Sequence, residues 1–206
     1  MGECHYLYGN VHVAKEMEVV RRLLDLSRIG ADRLCLRWVS AAEGRLFAEY
    51  VTQFTEVTKN LGPFDPLQFE MELEAVETAL TSRRLRWLMG IEASLTRKAN
   101  VYGESLPEER YNRLLQQATE EEYRGALVSA AIKRGPLSVR EIAFLTGLPV
   151  YTVSLQLGEL ERRHQAEIQS YQGTTPKFVH VTDESTEKPT GPSLDRPPEE
   201  AIIAPP

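Results

Sequence analysis

Ser138-Val-Arg-Glu-Ile-Ala-Phe-Leu-Thr-Gly-Leu-Pro-Val-Tyr-Thr-Val-Ser-Leu-Gln-Leu-Gly-Glu-Leu160 reads as two short helices and a tight turn. Ser138 and Glu141 stand at capping-box spacing, and Val139, Ile142 and Leu145 form an apolar stripe that Gly147 stops. After Leu148-Pro149, Val150, Val153, Leu157 and Leu160 fall on one face of the next helix. Upstream, Thr119-x-x-Glu122 has the same capping pattern, ahead of Tyr123, Leu127, Ala130 and Ala131, with Gly135-Pro136 as the stop. Downstream, alternating runs around Ile168–Tyr171 and Phe178–Val181 flank Gly173-Thr-Thr-Pro176. Three short helices followed by a hairpin predict a winged helix-turn-helix over residues 119–182.

A reader of DNA should carry a basic footprint. Between Thr119 and Val181 the bases Arg124, Lys133, Arg134, Arg140, Arg162, Arg163 and Lys177 are matched by seven acids. The outward face of the third helix (Tyr151, Thr152, Ser154, Gln156, Glu159) has no cation to anchor phosphate. Arg162 and Arg163 come at its far end, whereas this motif reads bases from its N-terminal end. Lys177 and Arg140 could reach phosphate, so a DNA-binding regulator is the alternative to protein docking.

Residues 63–118 are expected to be a helical connector, with Leu73, Val76, Leu80, Leu85, Leu88 and Ile91 as its stripe and Trp87 beside it. A break at Asn100–Gly103 precedes Ser105-Leu-Pro-Glu108, which reads as another helix start. Residues 183–206 hold six of the twelve prolines, six acids and two bases, the composition of a disordered acidic tail.

Residues 1–62 read as loop, helix, strand, helix. Val13, Met17, Val20, Leu24 and Ser27 recur at helical spacing up to Gly30. Leu34, Leu36 and Trp38 alternate with Cys35, Arg37 and Val39, the period of a short strand. A helix from about Glu43 to Leu61 turns Leu46, Phe47, Tyr50, Val51, Phe54 and Val57 inward and ends at Gly62-Pro63. One strand cannot satisfy its own backbone groups, and no second one is expected before residue 165. The segment therefore reads as part of an α/β unit whose other strands lie elsewhere.

Composition bounds the function. Net charge −6 argues against a protein that coats nucleic acid or anionic lipid. No apolar run reaches the ~20 residues of a membrane span, and no signal peptide opens the chain, so a cytoplasmic protein is expected. Two cysteines, Cys4 and Cys35, exclude a disulfide framework and a self-contained four-thiolate site. Zinc on Cys4, His5 and His12 would lack a fourth ligand. No paired catalytic carboxylates, Ser/His/Asp set or phosphate-cradling glycine loop is recognisable.

Gly2-Glu-Cys-His-Tyr6, Gly9-Asn10, then Leu36-Arg-Trp-Val-Ser-Ala-Ala-Glu-Gly44 and Phe47-Ala48 resemble the C-terminal half of one family. That family is the iron–sulfur (delta) subunit of methyl-viologen-reducing hydrogenase. The likeness covers residues 1 to about 63, and the later helices are more weakly similar to C-terminal extensions of bacterial members. It implies a Rossmann- or flavodoxin-like α/β fragment within a mainly α chain that has a little β. It further implies a 2Fe–2S relay between a hydrogenase or formate dehydrogenase module and a flavoprotein like the A subunit of heterodisulfide reductase. Cys4 matches the second cysteine of the family's paired motif and is the single cofactor-binding and metal-ligand candidate. Gly2, His5 and Tyr6 match its neighbours, while Cys35 is expected to be an apolar filler. The family's other cluster cysteines lie upstream of this motif. The resemblance therefore implies that this polypeptide alone holds no cluster. Met1 is then expected to be an internal methionine, following a selenocysteine codon or a misplaced start.

Overall fold

The computed structural model describes residues 9–181. Among them the chain is mainly helical, with one small antiparallel sheet. The helices are α1 (Gly9–Leu26), α2 (Gly44–Leu61), α3 (Glu70–Leu80), α4 (Arg83–Thr96), α5 (Glu108–Lys133), α6 (Val139–Thr146) and α7 (Val150–Arg162). Strands β1 (Ala166–Gln172) and β2 (Thr175–His180) close the described chain. Both Cys4 and the 183–206 tail lie outside the described residues.

Helix α5 organises the whole. Its first half packs with α1, α3 and α4 around Val19, Leu23, Val76, Leu85, Tyr111 and Leu115. Its second half packs with α6, α7 and the hairpin around Ile132, Ile142, Val153, Leu157 and Phe178. Met71 and Leu148 touch both clusters, so the apolar interior is continuous along α5.

The α6–α7 stretch follows its sequence signals closely. Ser138 Oγ accepts from the Glu141 backbone N–H, while the Glu141 carboxylate accepts from the Ser138 N–H at 2.7 Å. Gly147 ends α6 at φ 68°, a left-handed angle that suits glycine, and its N–H donates to Ala143 O. The hairpin pairs Ala166 with His180 and Gln172 with Thr175 across a two-residue turn at Gly173-Thr174. Its register shifts between Ile168 and Ser170. Leu137 adds a single bridge to Phe178, tying the start of α6 to the sheet.

Five expectations are corrected. No helix starts at Thr119, which sits inside α5, fully buried, with its hydroxyl bonded to Leu115 O at 2.8 Å. A threonine bonding back one turn imitates a capping pair in sequence. Likewise, α5 begins at Glu108 behind Pro107 without a side-chain cap from Ser105. On α1 Val19 and Leu23 are buried, one position before the expected Val20 and Leu24, and Val13 is exposed, while Ser27, just past the helix, is buried as expected. The reason is polar: Lys15, a turn before Val19, points into the helical core to meet Glu92.

The fourth correction concerns Leu34–Val39, which forms no strand. Leu34 is extended, with φ −124° and ψ 125°, but residues 34–39 take no regular secondary structure and pair with no strand among the described residues. Helix α2, expected to turn an apolar face inward, contains no buried residue. Phe47 is 57% exposed, and Val51, Val57 and Leu61 are exposed with it. It packs against the 3-10 turn Ala31–Arg33, anchored where Arg33 donates to Leu61 O and Gly62 O.

Candidate functional site

Cys4 and His5 lie outside the described residues, and the other residues singled out in sequence fall on α1, the Leu34–Val39 segment and α2. His12, in the first turns of α1, approaches Glu92 on α4, with Nδ1 3.8 Å from Oε2. Glu92 is 2% exposed and takes a 2.6 Å hydrogen bond from Lys15 Nζ, which also reaches Glu108 at 3.0 Å. Burial works against the Lys15 charge, but its bonds to Glu92 and Glu108 outweigh this and hold its pKa above the ordinary lysine value. Tyr111 closes the group, with its ring 5.5 Å from Lys15 Nζ and its hydroxyl donating to Leu88 O. His12 is thus committed to a polar seam between α1, α4 and α5. Sequence reading missed the seam because Glu92 and Lys15 are far apart in the chain and each looks like an ordinary surface charge.

Cys35 is a free, half-buried thiol in the irregular Leu34–Val39 segment. Among the described residues no three His, Cys, Asp or Glu side chains come together in a way that could hold a metal ion. Two thiols in the whole sequence cannot supply the four donors of a thiolate-held iron–sulfur cluster. The residues of this chain do not by themselves fit such a group. What the segment does offer is surface. In the run Cys35–Val39 no backbone N–H finds a backbone acceptor among the described residues, and Trp38 and Val39 are exposed beside the bare face of α2.

The α6–α7 end has a different character. Arg162 and Arg163 both bind Glu159, the latter at 2.9 Å, so neither is an unpaired cation. Lys177 in the hairpin binds Glu141 at 2.5 Å. The Lys177 and Ser138 bonds pull the Glu141 carboxyl down to about 2. Phe144, Leu145, Val150, Tyr151 and Leu155 are exposed where a DNA reader needs cations. No helix among the described residues is long and apolar enough to cross a membrane.

Residues 1–62 match the family described as methyl-viologen-reducing hydrogenase, delta subunit. The segment is 38% identical over 64 residues to the iron-sulfur D subunit of F420-non-reducing hydrogenase from Archaeoglobus profundus, covering 31% of this chain and 47% of that one. Against the vhu iron-sulfur D subunit of the same kind of hydrogenase from Methanocaldococcus jannaschii it is 37% identical over 67 residues, 32% of this chain and 49% of the relative. It is also 34% identical over 80 residues to the A subunit of ferredoxin:CoB-CoM heterodisulfide reductase from Methanosarcina mazei, 39% of this chain and 10% of that one. The matched region spans about half of the two hydrogenase relatives and a tenth of the reductase chain. No solved structure matches. Residues 1–62 are thus similar to the hydrogenase delta-subunit family.

Proposed function

We propose that residues 1–62 form part of an electron-transfer unit working between a hydrogenase or formate dehydrogenase module and a flavoprotein like the A subunit of heterodisulfide reductase. One observation carries this reading. The segment that matches the delta-subunit family is the same one that leaves the N–H groups of residues 35–39 without backbone partners and an amphipathic helix bare. A free extended edge beside an uncovered apolar face calls for strands from another polypeptide segment to complete a Rossmann- or flavodoxin-like layer. That same completion would bring the missing thiolates. Cys4 is then one donor to a 2Fe–2S cluster, the others coming from sequence not present in these 206 residues.

In this reading residues 63–118 are a connector and residues 119–182 a winged helix-turn-helix that docks protein rather than DNA, the assembly residing in the cytoplasm. Paired arginines and an apolar outer face support that choice over a transcriptional regulator.

The test expresses the gene with its upstream nucleotides read through, anaerobically, with iron, sulfide and selenium, beside the 206-residue chain. An EPR signal in the longer product, lost in its Cys4→Ser variant, is the expected result. Slowed amide exchange over residues 34–40 in the longer product should accompany it. A colourless longer product with fast exchange there overturns the proposal.

A further inference from the structure

Where β2 meets α6, Leu137, Phe144 and Leu145 surround an open apolar depression of about 360 Å³, edged by Arg140 and Glu141. Phe144 is 89% exposed, an extreme value for a phenylalanine on a well-capped helix. Glu141 is neutralised by Lys177, while Arg140 has no hydrogen bond or ion pair among the described residues. The depression therefore presents an aliphatic floor with one uncompensated positive charge.

Beyond Val181 the chain continues for 25 residues, and its single pair of adjacent large aliphatics is Ile202-Ile203, closely preceded by Glu199-Glu200. Acid–acid–small–aliphatic–aliphatic is the complement of that depression: two branched side chains for the floor, and carboxylates for Arg140. The geometry of attachment favours the match. The described chain passes the depression at Phe178, which pairs with Leu137, and ends three residues later at Val181, whose N–H donates to Gln165 O. The 20 residues Thr182–Ala201 reach up to ~66 Å extended, against the ~10 Å that three residues of strand put between Phe178 and Val181. Tethering supplies a local concentration of about millimolar, so even a weak motif stays bound.

We propose that Glu199-Glu-Ala-Ile-Ile203 docks in cis onto the Leu137–Phe144–Leu145 face, with Arg140 meeting the acids. The tail thereby covers the face that Phe144 leaves bare, and any protein partner of α6 must displace it. This docking does not depend on the redox reading.

The test uses the full chain with Cys4→Ser and Cys35→Ser and a nitroxide attached at Ala204→Cys, beside the motif, or at Thr190→Cys as control. Amide signals of residues 137–146 should lose at least half their intensity with the label at 204, and far less with it at 190. Phe144→Asp should abolish the loss. Arg140→Glu should weaken it several-fold and regain it when Glu199 and Glu200 are made Arg. If Phe144→Asp unfolds the chain, the Arg140 pair decides alone. Equal broadening from both labels, or none, overturns the proposal. Broadening that appears in a mixture of isotope-labelled chain and separately spin-labelled chain assigns the face to a second copy and also overturns it.

Discussion

Replacing Glu92 by Gln should be among the most destabilising single changes in the described chain. Glu92 is 2% exposed and holds Lys15, itself nearly covered, through a 2.6 Å bond. Removing one partner of a buried pair leaves the other charge uncompensated and costs about 3–5 kcal/mol. Here Glu108 remains 3.0 Å from Lys15, which places the loss at the low end, about 3 kcal/mol. For a chain of this size each kcal/mol moves the midpoint by roughly 2–4 °C, giving a drop of about 6–12 °C. A paired change separates charge from packing. Lys15→Met with Glu92→Leu removes both charges and fills the same space, and should return to within about 1 kcal/mol of the parent. Urea unfolding followed by circular dichroism, with all four chains of the double-mutant cycle, measures both numbers. A loss under about 1 kcal/mol for Glu92→Gln in a folded protein would refute a buried, mutually dependent pair. So would a double variant as unstable as the two singles summed.

Ile142 is fully buried between α5 and α7, and Ile142→Ala should cost about 2–5 kcal/mol by the same unfolding assay. Phe47→Glu, on the exposed face of α2, should leave the stability of the 206-residue chain within about 0.5 kcal/mol yet prevent slow exchange at residues 34–40 in the extended product. Acid sensitivity follows from Glu141. Its carboxyl is depressed from 4.5 to about 2, so its stabilising contribution is complete above 4.5 and disappears as pH falls towards 2. Melting curves from about pH 6 to 2 should steepen in that window, and Glu141→Gln should flatten them. His180, held below its ordinary 6.5 by burial and by nearby Lys133, acts in the same sense at higher pH.

What could be read from the chain depended on whether the deciding partner was close in sequence. Ser138, Glu141 and Gly147 act within one helix, and their cap and stop are both present. Thr119 carries the same local pattern as Ser138 but is buried where α5 packs with α1, α3 and α4, and α5 runs straight through it. The alternation at Leu34–Val39 reports a preference for extended backbone, which Leu34 adopts, but cannot supply a neighbour for it. Likewise the stripe on α2 marks a face that could be covered, without stating that anything in residues 9–181 covers it. The α1 stripe is displaced by a half-buried lysine whose buried partner lies 77 residues away. Cys4 lies outside the described residues and is singled out by the family resemblance alone, since one thiol has no spacing to read.

Helix α5 runs 26 residues, about 39 Å, as one uninterrupted rod from the α1–α4 cluster to the hairpin. A protease would find no hinge between the two ends, so a brief digest should leave them joined in one resistant piece. A disturbance at Tyr111 likewise has a rigid shaft by which to reach Ile132, and loss of either cluster should bring the other down in a single cooperative melt.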